Sequence, residues 1–297
     1  MTTTPRVSTF DVTGGLHVRL RHVTGEISVT RSSAAQCTVT LTPRSPKAQP
    51  LVDTAIVDFA HRGSTAELDI KVGRDRPSVD GGVMTVFWGF KFNLDKARLK
   101  HEVDVLLEVP EGTSVDVKTV SGDLHCTRAS LGGAELTSVS GNLTCDALHG
   151  SARVKSTSGT ITLGDVRGAV DIKTVSGSVS TGAVHGEVDI KTVSGSIAAC
   201  VAVPAPVAAK TISGDIVISV VPGLTVAVDA KSISGRLRST IDLNRGAEPE
   251  VHSYAGGAVV WGASPKPPAA PASEGGVVGI NAQSVSGDIL IQTAPSA

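Results

Sequence analysis

A Ser-Gly pair recurs along the chain at nearly constant spacing, and it constrains the fold more than any other feature. From Gly122 to Gly235, the glycines of successive pairs lie 19, 18, 18, 18, 19 and 21 residues apart. A further pair, Ser286-Gly287, follows after 52 residues. The best-matched copies share VDIKTVSG at residues 170–177 and 188–195. This period is too short for a helix pair and is typical of one coil of a β-solenoid.

Aligned on their glycines, the copies form columns of similar residues. Apolar residues stand five before the glycine and two after it, as at Ile172 and Val179, which predicts that both columns face the core. Every copy has serine or threonine three before the glycine, as at Thr174, and hydroxyls in such a column can hydrogen-bond along it. Residues 23–29, which include Gly25, resemble a weak early copy.

The composition favours many short strands. Only 8 of the 297 residues are aromatic and 32 are glycine, so Val, Ile, Leu and Ala must form the core. We predict an all-β fold, a parallel β-solenoid (β-helix-like) of about seven coils of 18–21 residues, with an N-terminal β region as its cap.

The irregular stretches suggest a division of the chain into four parts. The predicted parts are an N-terminal β region and cap at 1–112 with an irregular insertion at 73–100, the solenoid repeats at 113–243, a flexible Pro/Ala/Gly-rich excursion at 244–280, and a final repeat strand and tail at 281–297. We place the final strand at the C-terminal edge of the array.

Charge and cysteine content bear on the compartment and the partner. With 27 Lys+Arg against 28 Asp+Glu the net charge is -1, so the global basic excess of a general nucleic-acid binder is missing. No signal peptide, transmembrane run or CxxC pair is visible. We expect a cytoplasmic protein with no specific nucleic-acid partner, and leave export by another route open.

The iterated motif and its lead-in, EVPEGTSVDVKTVSGDL at 108–124, resemble a bacterial family of β-strand-repeat proteins named as candidate adhesins, a domain of unknown function. The resemblance covers about residues 7–243 and the terminal copy. It implies a β-solenoid-like fold and a non-enzymatic part in surface or protein contacts. It supplies no catalytic residue, and the lack of an export signal departs from the adhesin description.

A lysine column is the sharpest chemical feature of the repeats. Five successive copies carry a lysine four before the glycine: Lys155, Lys173, Lys191, Lys210 and Lys231. Acidic residues two positions earlier share the same strand face. The two columns either interlock as a solvated face that prevents sheet association, or leave a stripe for an acidic polymer or partner.

Aromatic residues are concentrated in the insertion at 73–100. They are Phe87, Trp88, Phe90 and Phe92. Such a group either plugs the end or flank of a core or contacts a partner or membrane surface.

Metal sites and cofactors find little support. Asp123, Asp215 and Asp288 follow the glycine in only some copies, so turn capping is favoured over a column of calcium ions. His125 and Cys126 are adjacent, but a zinc site lacks further ligands. We predict no catalytic, cofactor-binding or metal-binding residues.

These observations favour a non-catalytic β-solenoid scaffold or protein-interaction (adhesin-like) module of a bacterium. The partner would be an unknown protein or a second copy of the chain. Two alternatives stay open: a self-polymerising solenoid scaffold, and a carbohydrate-active β-helix enzyme.

Overall fold

The computed structural model describes residues 3–73, 102–241 and 277–294, and the backbone of four further strands outside these ranges. Most of this chain is β-structure, and the helical part is a short 3₁₀ turn at Pro46–Ala48 followed by α1 (Gln49–Asp53). Neither helix has the length and apolar character needed to cross a membrane, within the described part of the chain. The chain forms two compact units, Met1–Asp146 and Ala147–Ala297.

The strands follow one another closely in both units. In the first unit they are β1 (Arg6–Asp11), β2 (Gly15–Arg21), β3 (Ile27–Arg31), β4 (Gln36–Pro43), β5 (Ile56–Arg62), β6 (Thr65–Lys71), β7 (Val83–Phe87), β8 (Phe90–Leu94), β9 (Val103–Val109), β10 (Ser114–Ser121), β11 (Leu124–Leu131), β12 (Gly133–Ser140) and β13 (Leu143–Leu148), whose last residues belong to the second unit. In the second unit they are β14 (Ala152–Ser158), β15 (Ile161–Val166), β16 (Val170–Ser176), β17 (Val179–Val184), β18 (Val188–Lys191), β19 (Ile197–Val201), β20 (Val207–Ser213), β21 (Ile216–Val220), β22 (Thr225–Ser234), β23 (Leu237–Ser239), β24 (His252–Tyr254), β25 (Ala258–Val260), β26 (Val277–Ser286) and β27 (Ile289–Thr293).

Two sheets build the first unit. We call the sheet whose repeat strands precede a Ser-Gly turn the upstream sheet, and the sheet whose strands follow the turn the downstream sheet. In the first unit the upstream order is β5-β6-β2-β10-β12 and the downstream order is β1-β4-β9-β3-β11-β13. Pairing is parallel from β6 to β12 and from β9 to β11, whereas β5, β4 and β1 join antiparallel at the outer edges. The predicted all-β, parallel, solenoid-like fold is confirmed, and the coil number and the capping role remain predictions.

The early copy at residues 23–29 joins the repeat array. Thr24 forms a parallel bridge with Ser121, and Leu124 pairs with Ile27 in the downstream sheet. The coil made by β2 and β3 lies between β6 and β9 on one side and β10 and β11 on the other, so spatial order departs from chain order.

The final copy is also inserted out of order, in the second unit. There the upstream order is β14-β16-β18-β20-β26-β22 and the downstream order is β15-β17-β19-β21-β27-β23. Ile280 on β26 pairs with both Val207 and Val228. The predicted edge position of the final strand is therefore wrong. An inserted strand satisfies backbone groups along both of its sides, whereas an edge strand satisfies one.

The Ser-Gly corners bring backbones of successive coils into direct contact. Gly177 has φ +146°, and a Cβ there would come within 2.9 Å of the carbonyl carbon of Gly159. The Gly177 N–H donates to the carbonyl of Ser194 on the next coil, at 3.0 Å. Only glycine fits this position, because a side chain is excluded both by φ and by the adjacent backbone.

The two predicted core columns are buried. Val117 and Leu136 in the first unit, and Ile172 and Ile190 in the second, have side chains with almost no exposed surface. The column two after the glycine is buried as well, except at Leu237, which is half-buried on the edge strand β23. Each coil therefore buries its apolar side chains against its neighbours.

A glycine substitution at a corner tests this close approach. We expect Gly177→Ala to lower the free energy of unfolding by about 3 kcal/mol or more, since backbone strain and overpacking add. Gly223→Ala is the matched control, because Gly223 has φ +93° but no atom within 4 Å of an added Cβ; it should lose about 1–2 kcal/mol from strain alone. Urea unfolding followed by circular dichroism measures both, and equal losses would contradict the packing argument.

Candidate functional site

The acid and lysine columns face outward from the upstream sheet and pair within each strand. In the second unit, the Lys191 ammonium lies 2.7 Å from Oδ2 of Asp189. Lys173 and Asp171 are 3.5 Å apart, as are Lys231 and Asp229. These groups are partly exposed, so each pair contributes at most about 1 kcal/mol.

In-register stacking places like charges beside one another. Lys155 pairs with Lys173, and Lys191 pairs with Lys210, across neighbouring strands. The insertion of β26 places Gln283 beside Lys210 on one side and Lys231 on the other, so the structure interrupts the predicted row of five lysines. The ion pairs along β16, β18 and β22 offset the repulsion between neighbouring lysines.

Lys210 differs from its neighbours. The position that holds an aspartate on other strands is Ala208 on β20 and Asn281 on the adjacent β26. Lys210 is exposed, and it forms no ion pair with any residue that the structure describes. Within the described ranges, Lys210 therefore has neither an ion pair nor an aspartate two residues before it on its own strand.

The same arrangement extends into the first unit, where sequence reasoning found only part of it. Lys118 lies 3.6 Å from Asp116, as the column predicts. Lys71 and Asp69 on β6 are paired at 3.0 Å and continue the columns beside Arg21 and Arg19. This copy was missed because no Ser-Gly pair follows β6 in the sequence.

The aspartates that follow the glycines cap the turns of neighbouring coils. Asp123 Oδ1 accepts the backbone N–H of Asn142 at 2.7 Å. Asp215 Oδ1 accepts that of Asp288, and Asp288 Oδ1 accepts that of Arg236, both at 2.8 Å. These bonds agree with the turn-capping interpretation. Within the described ranges, no group of three or more His, Cys, Asp or Glu side chains is arranged to hold a metal ion.

The serine and threonine column is buried and bonds to the corner backbone. The Ser232 hydroxyl donates to the carbonyl of Gly287 at 3.0 Å, and the Ser284 hydroxyl donates to that of Gly214 at 3.3 Å. Oγ1 of Thr174 and of Thr192 are buried without a hydrogen-bond partner. The hydroxyls of Ser232 and Ser284 thus hold the Ser-Gly corner rather than bonding to one another along the column.

Cys126 and Cys145 are free thiols buried in the first unit. The pKa of Cys126 is raised well above its usual range, first by its hydrogen bond with Cys145 and then by burial. A protonated thiol is a poor zinc ligand and a poor nucleophile, so Cys126 behaves as part of the core.

His22 is a buried ionisable group that the sequence analysis did not single out. It stands three before Gly25, the place that Thr119 takes in the next coil, and its Nε2–H donates to the Val103 carbonyl at 2.7 Å. Its Nδ1 is buried without a partner. Burial lowers the pKa of His22 to about 4 despite the favourable Val103 bond and the nearby Asp104. Counting back from Gly25 in the early copy would have found it.

The aromatic prediction lies outside the described side chains. Phe87 is on β7, and Phe90 and Phe92 are on β8, which pairs with β7 antiparallel. Trp88 lies outside the described residues. The choice between core plug and contact surface stays open.

A model of a known family matches most of the chain. Its description is Toastrack DUF4097, and the match spans residues 17–256. The chain belongs to this family. The match confirms the resemblance drawn from the Ser-Gly motif and identifies a domain of unknown function. Among curated protein sequences, none matches the chain.

Several solved bacterial structures are similar to this chain at low identity. A candidate adhesin from Bacteroides fragilis has 14% identity and a TM-score of 0.45, with 98% of this chain and 97% of that one covered. A candidate adhesin from Parabacteroides distasonis has 11% identity, a TM-score of 0.34 and the same coverage of 98% and 97%. A candidate cell adhesion protein from Clostridium sporogenes has 9% identity and a TM-score of 0.27, with 99% and 100% covered. Identities and TM-scores this low carry no statement about the function of this chain.

Substituting an aspartate after the glycine separates turn capping from calcium binding. We expect Asp123→Ala to lower the free energy of unfolding by about 1 kcal/mol, because the Asn142 N–H loses its acceptor. Asp123→Asn keeps an acceptor oxygen, so its free energy of unfolding should fall by less than that of Asp123→Ala. Addition of calcium should leave the thermal midpoint of the wild-type chain unchanged, and a calcium-dependent rise would favour the ion-binding alternative.

His22 predicts a loss of stability in acid. Because its pKa is lowered from 6.5 to about 4 in the folded chain, its contribution is fully present above pH 6.5 and is lost as the pH falls towards 4. The full effect is about 3 kcal/mol. His22→Thr, which copies the residue type of Thr119, should unfold with a shallower pH dependence between pH 6.5 and 4. The free energy of unfolding of both proteins is measured by urea titration at several pH values. If it falls equally steeply with pH for both, His22 is not the source of the acid sensitivity.

Proposed function

We propose that this chain is a non-catalytic β-solenoid module that binds a protein partner, in the manner of a scaffold or adhesin. The observation that carries the proposal is that most of its repeated ionisable groups are occupied by structural contacts, as ion pairs within a strand or as caps of a turn on the next coil. Lys191 and Asp189 pair with each other, and Asp215 caps a turn of the next coil. What remains for function is the outer surface of the sheets.

Flat, repeated sheet faces suit protein contacts. The outer face of the upstream sheet in the second unit carries the rows of aspartate, lysine and aliphatic side chains on adjoining strands. Equivalent side chains on neighbouring strands of this face are about 4.8 Å apart, and this spacing repeats over several strands. An extended or layered partner can match it. We include the lysines of this column and the aromatic group at residues 87–92 as proposed interaction residues.

The chain ends weigh against the self-polymerising alternative. Head-to-tail stacking of coils needs free parallel edges. In the first unit the outer edges of β6 and β9 are covered by antiparallel β5 and β4. In the second unit β25 lies beside the edge strand β22. Both features support a closed module.

Assembly and catalysis are directly measurable. We expect sedimentation velocity at varied protein and salt concentration to give one species of constant size, because β5 and β4 cover the outer parallel edges of the first unit. Growth into large species whose size depends on concentration would overturn the proposal in favour of the self-polymerising scaffold. Release of reducing ends from common polysaccharides should be absent, and turnover that is lost on mutation of outer-face acids would establish the enzyme instead.

Binding in the cell tests the module itself. A photo-crosslinking amino acid at Lys173, on the outer face, should give a discrete adduct in the native host. The same group at Asp53, which is exposed on α1 in the first unit, is the control. Absence of an adduct from all outer-face positions would overturn the proposal. Cell fractionation in the same experiment tests the proposed cytoplasmic location.

A further inference from the structure

A row of exposed aliphatic side chains runs across four neighbouring strands of the second unit. It occupies the position two before the glycine, next to the Ser-Gly corner. We call this row the aliphatic ridge; its members and exposed fractions are Val193 (42%), Ile212 (52%), Val285 (44%) and Ile233 (60%).

Strand register makes the ridge continuous. Lys191 pairs with Lys210, which sets Val193 beside Ile212. The flanking pairs Thr211 with Ser284 and Ser213 with Ser286 set Ile212 beside Val285, and the matching pairs of β22 set Val285 beside Ile233. Three steps of about 4.8 Å give a ridge about 14 Å long. Residues distant in sequence thus form one apolar line, because β26 lies between β20 and β22.

The fold does not require apolar residues in this column. The same position holds a half-buried valine on β10, β12 and β16 (Val120, Val139 and Val175) and the polar, half-buried Thr157 on β14. A threonine retains the β-branched shape that a strand favours and adds a hydroxyl that water can solvate. The four ridge residues differ from the other aliphatic members of the column in being exposed, so they are a feature of the surface rather than of the core.

The charge beside the ridge is unbalanced at its centre. Lys191 and Lys231, at its two ends, are paired with Asp189 and Asp229. Lys210, in the row next to Ile212, has no ion pair among the described residues, and its neighbour across the strand is the neutral Gln283. A ligand that covers the ridge would meet Lys210, a cation without an ion pair in the described ranges.

We propose that the aliphatic ridge binds an extended peptide segment of a partner protein, with aliphatic side chains along the ridge and a carboxylate opposite Lys210. An extended chain advances about 3.3 Å per residue, so four or five residues span the ridge. This proposal rests on the proposed function and names its surface.

Size and chemistry favour a peptide over other occupants. A stable dimer buries about 800 Å² on each partner, well beyond what four partly exposed aliphatic side chains offer. A membrane surface is bound by several cations together with large apolar or aromatic side chains. The ridge consists of valine and isoleucine, and the part of the chain that the structure describes gives it one lysine without an ion pair, Lys210. A desolvated carboxylate-lysine pair in an extended complex supplies orientation as well as affinity.

The test uses the full chain and defined probes. Fluorescence anisotropy is measured with a short labelled peptide of alternating isoleucine and glutamate, and with the same peptide carrying lysine for glutamate. We expect the glutamate peptide to bind at least about tenfold more tightly than the lysine peptide. Equal binding of the two peptides, or no binding of either, overturns the proposal.

Variants assign the binding to the ridge. Ile212→Thr combined with Val285→Thr copies the residue type of Thr157 and should weaken glutamate-peptide binding by about tenfold or more. Lys210→Glu should reverse the preference between the two peptides. The matched control is Val7→Thr, an equally exposed aliphatic residue on β1 in the first unit, which should bind like the wild type. Circular dichroism verifies that each variant is folded, and unchanged binding by folded ridge variants overturns the proposal.

Two further outcomes are distinguishable. If the chain sediments with vesicles of phosphatidylserine and phosphatidylcholine and the double variant does not, while no peptide binds, the ridge is a lipid contact and the peptide proposal fails. If ridge variants retain the discrete cellular adduct, the interaction module stands and only the ridge is overturned. Polysaccharide turnover would instead overturn the module.

Discussion

The close approach of backbone to backbone at the Ser-Gly corner governs the rest of this structure. Each corner glycine sits against the carbonyl of its counterpart on the neighbouring coil, with no room for a side chain, as Gly195 does against Gly177. The corner therefore fixes the register between coils. Once register is fixed, every column of the repeat becomes a row of like residues in space. Core, hydroxyl and charged rows all follow from this one constraint.

Stacking like on like is favourable for apolar rows and costly for charged ones. Isoleucine over valine buries both, whereas Lys173 beside Lys191 brings two ammonium groups together. On β16, β18 and β22 the chain resolves this by an aspartate two residues before the lysine. The position holds Ala208 and Asn281 on the neighbouring strands β20 and β26, so Lys210 has no ion pair among the described residues. That lysine lies beside the most exposed aliphatic residues of the repeat.

Chain order and spatial order differ at a strand pair in each unit. In the first unit β2 and β3 are enclosed by strands that come later, and in the second β26 and β27 are enclosed by β20–β21 and β22–β23. An inserted copy bonds to neighbours on both sides, which satisfies more backbone groups than an edge position does. The aliphatic ridge exists as one line because of this insertion, since Val285 fills the row between Ile212 and Ile233.

The sequence alone determined the coil. Its period, the glycine corners, the two buried columns and the alternation of acid and lysine follow from spacing, because a strand alternates its side chains and a corner excludes Cβ. The capping role of Asp123 could be foreseen from turn chemistry as well. The order in which copies stack, the lone Lys210 and the ridge could not, because they depend on long-range pairing across the 52 residues between Gly235 and Gly287. Nor did His22 stand out, since the carbonyl that accepts its hydrogen bond, that of Val103, is 81 residues away in the sequence. Local spacing specifies each coil, and only tertiary contacts decide which coils become neighbours.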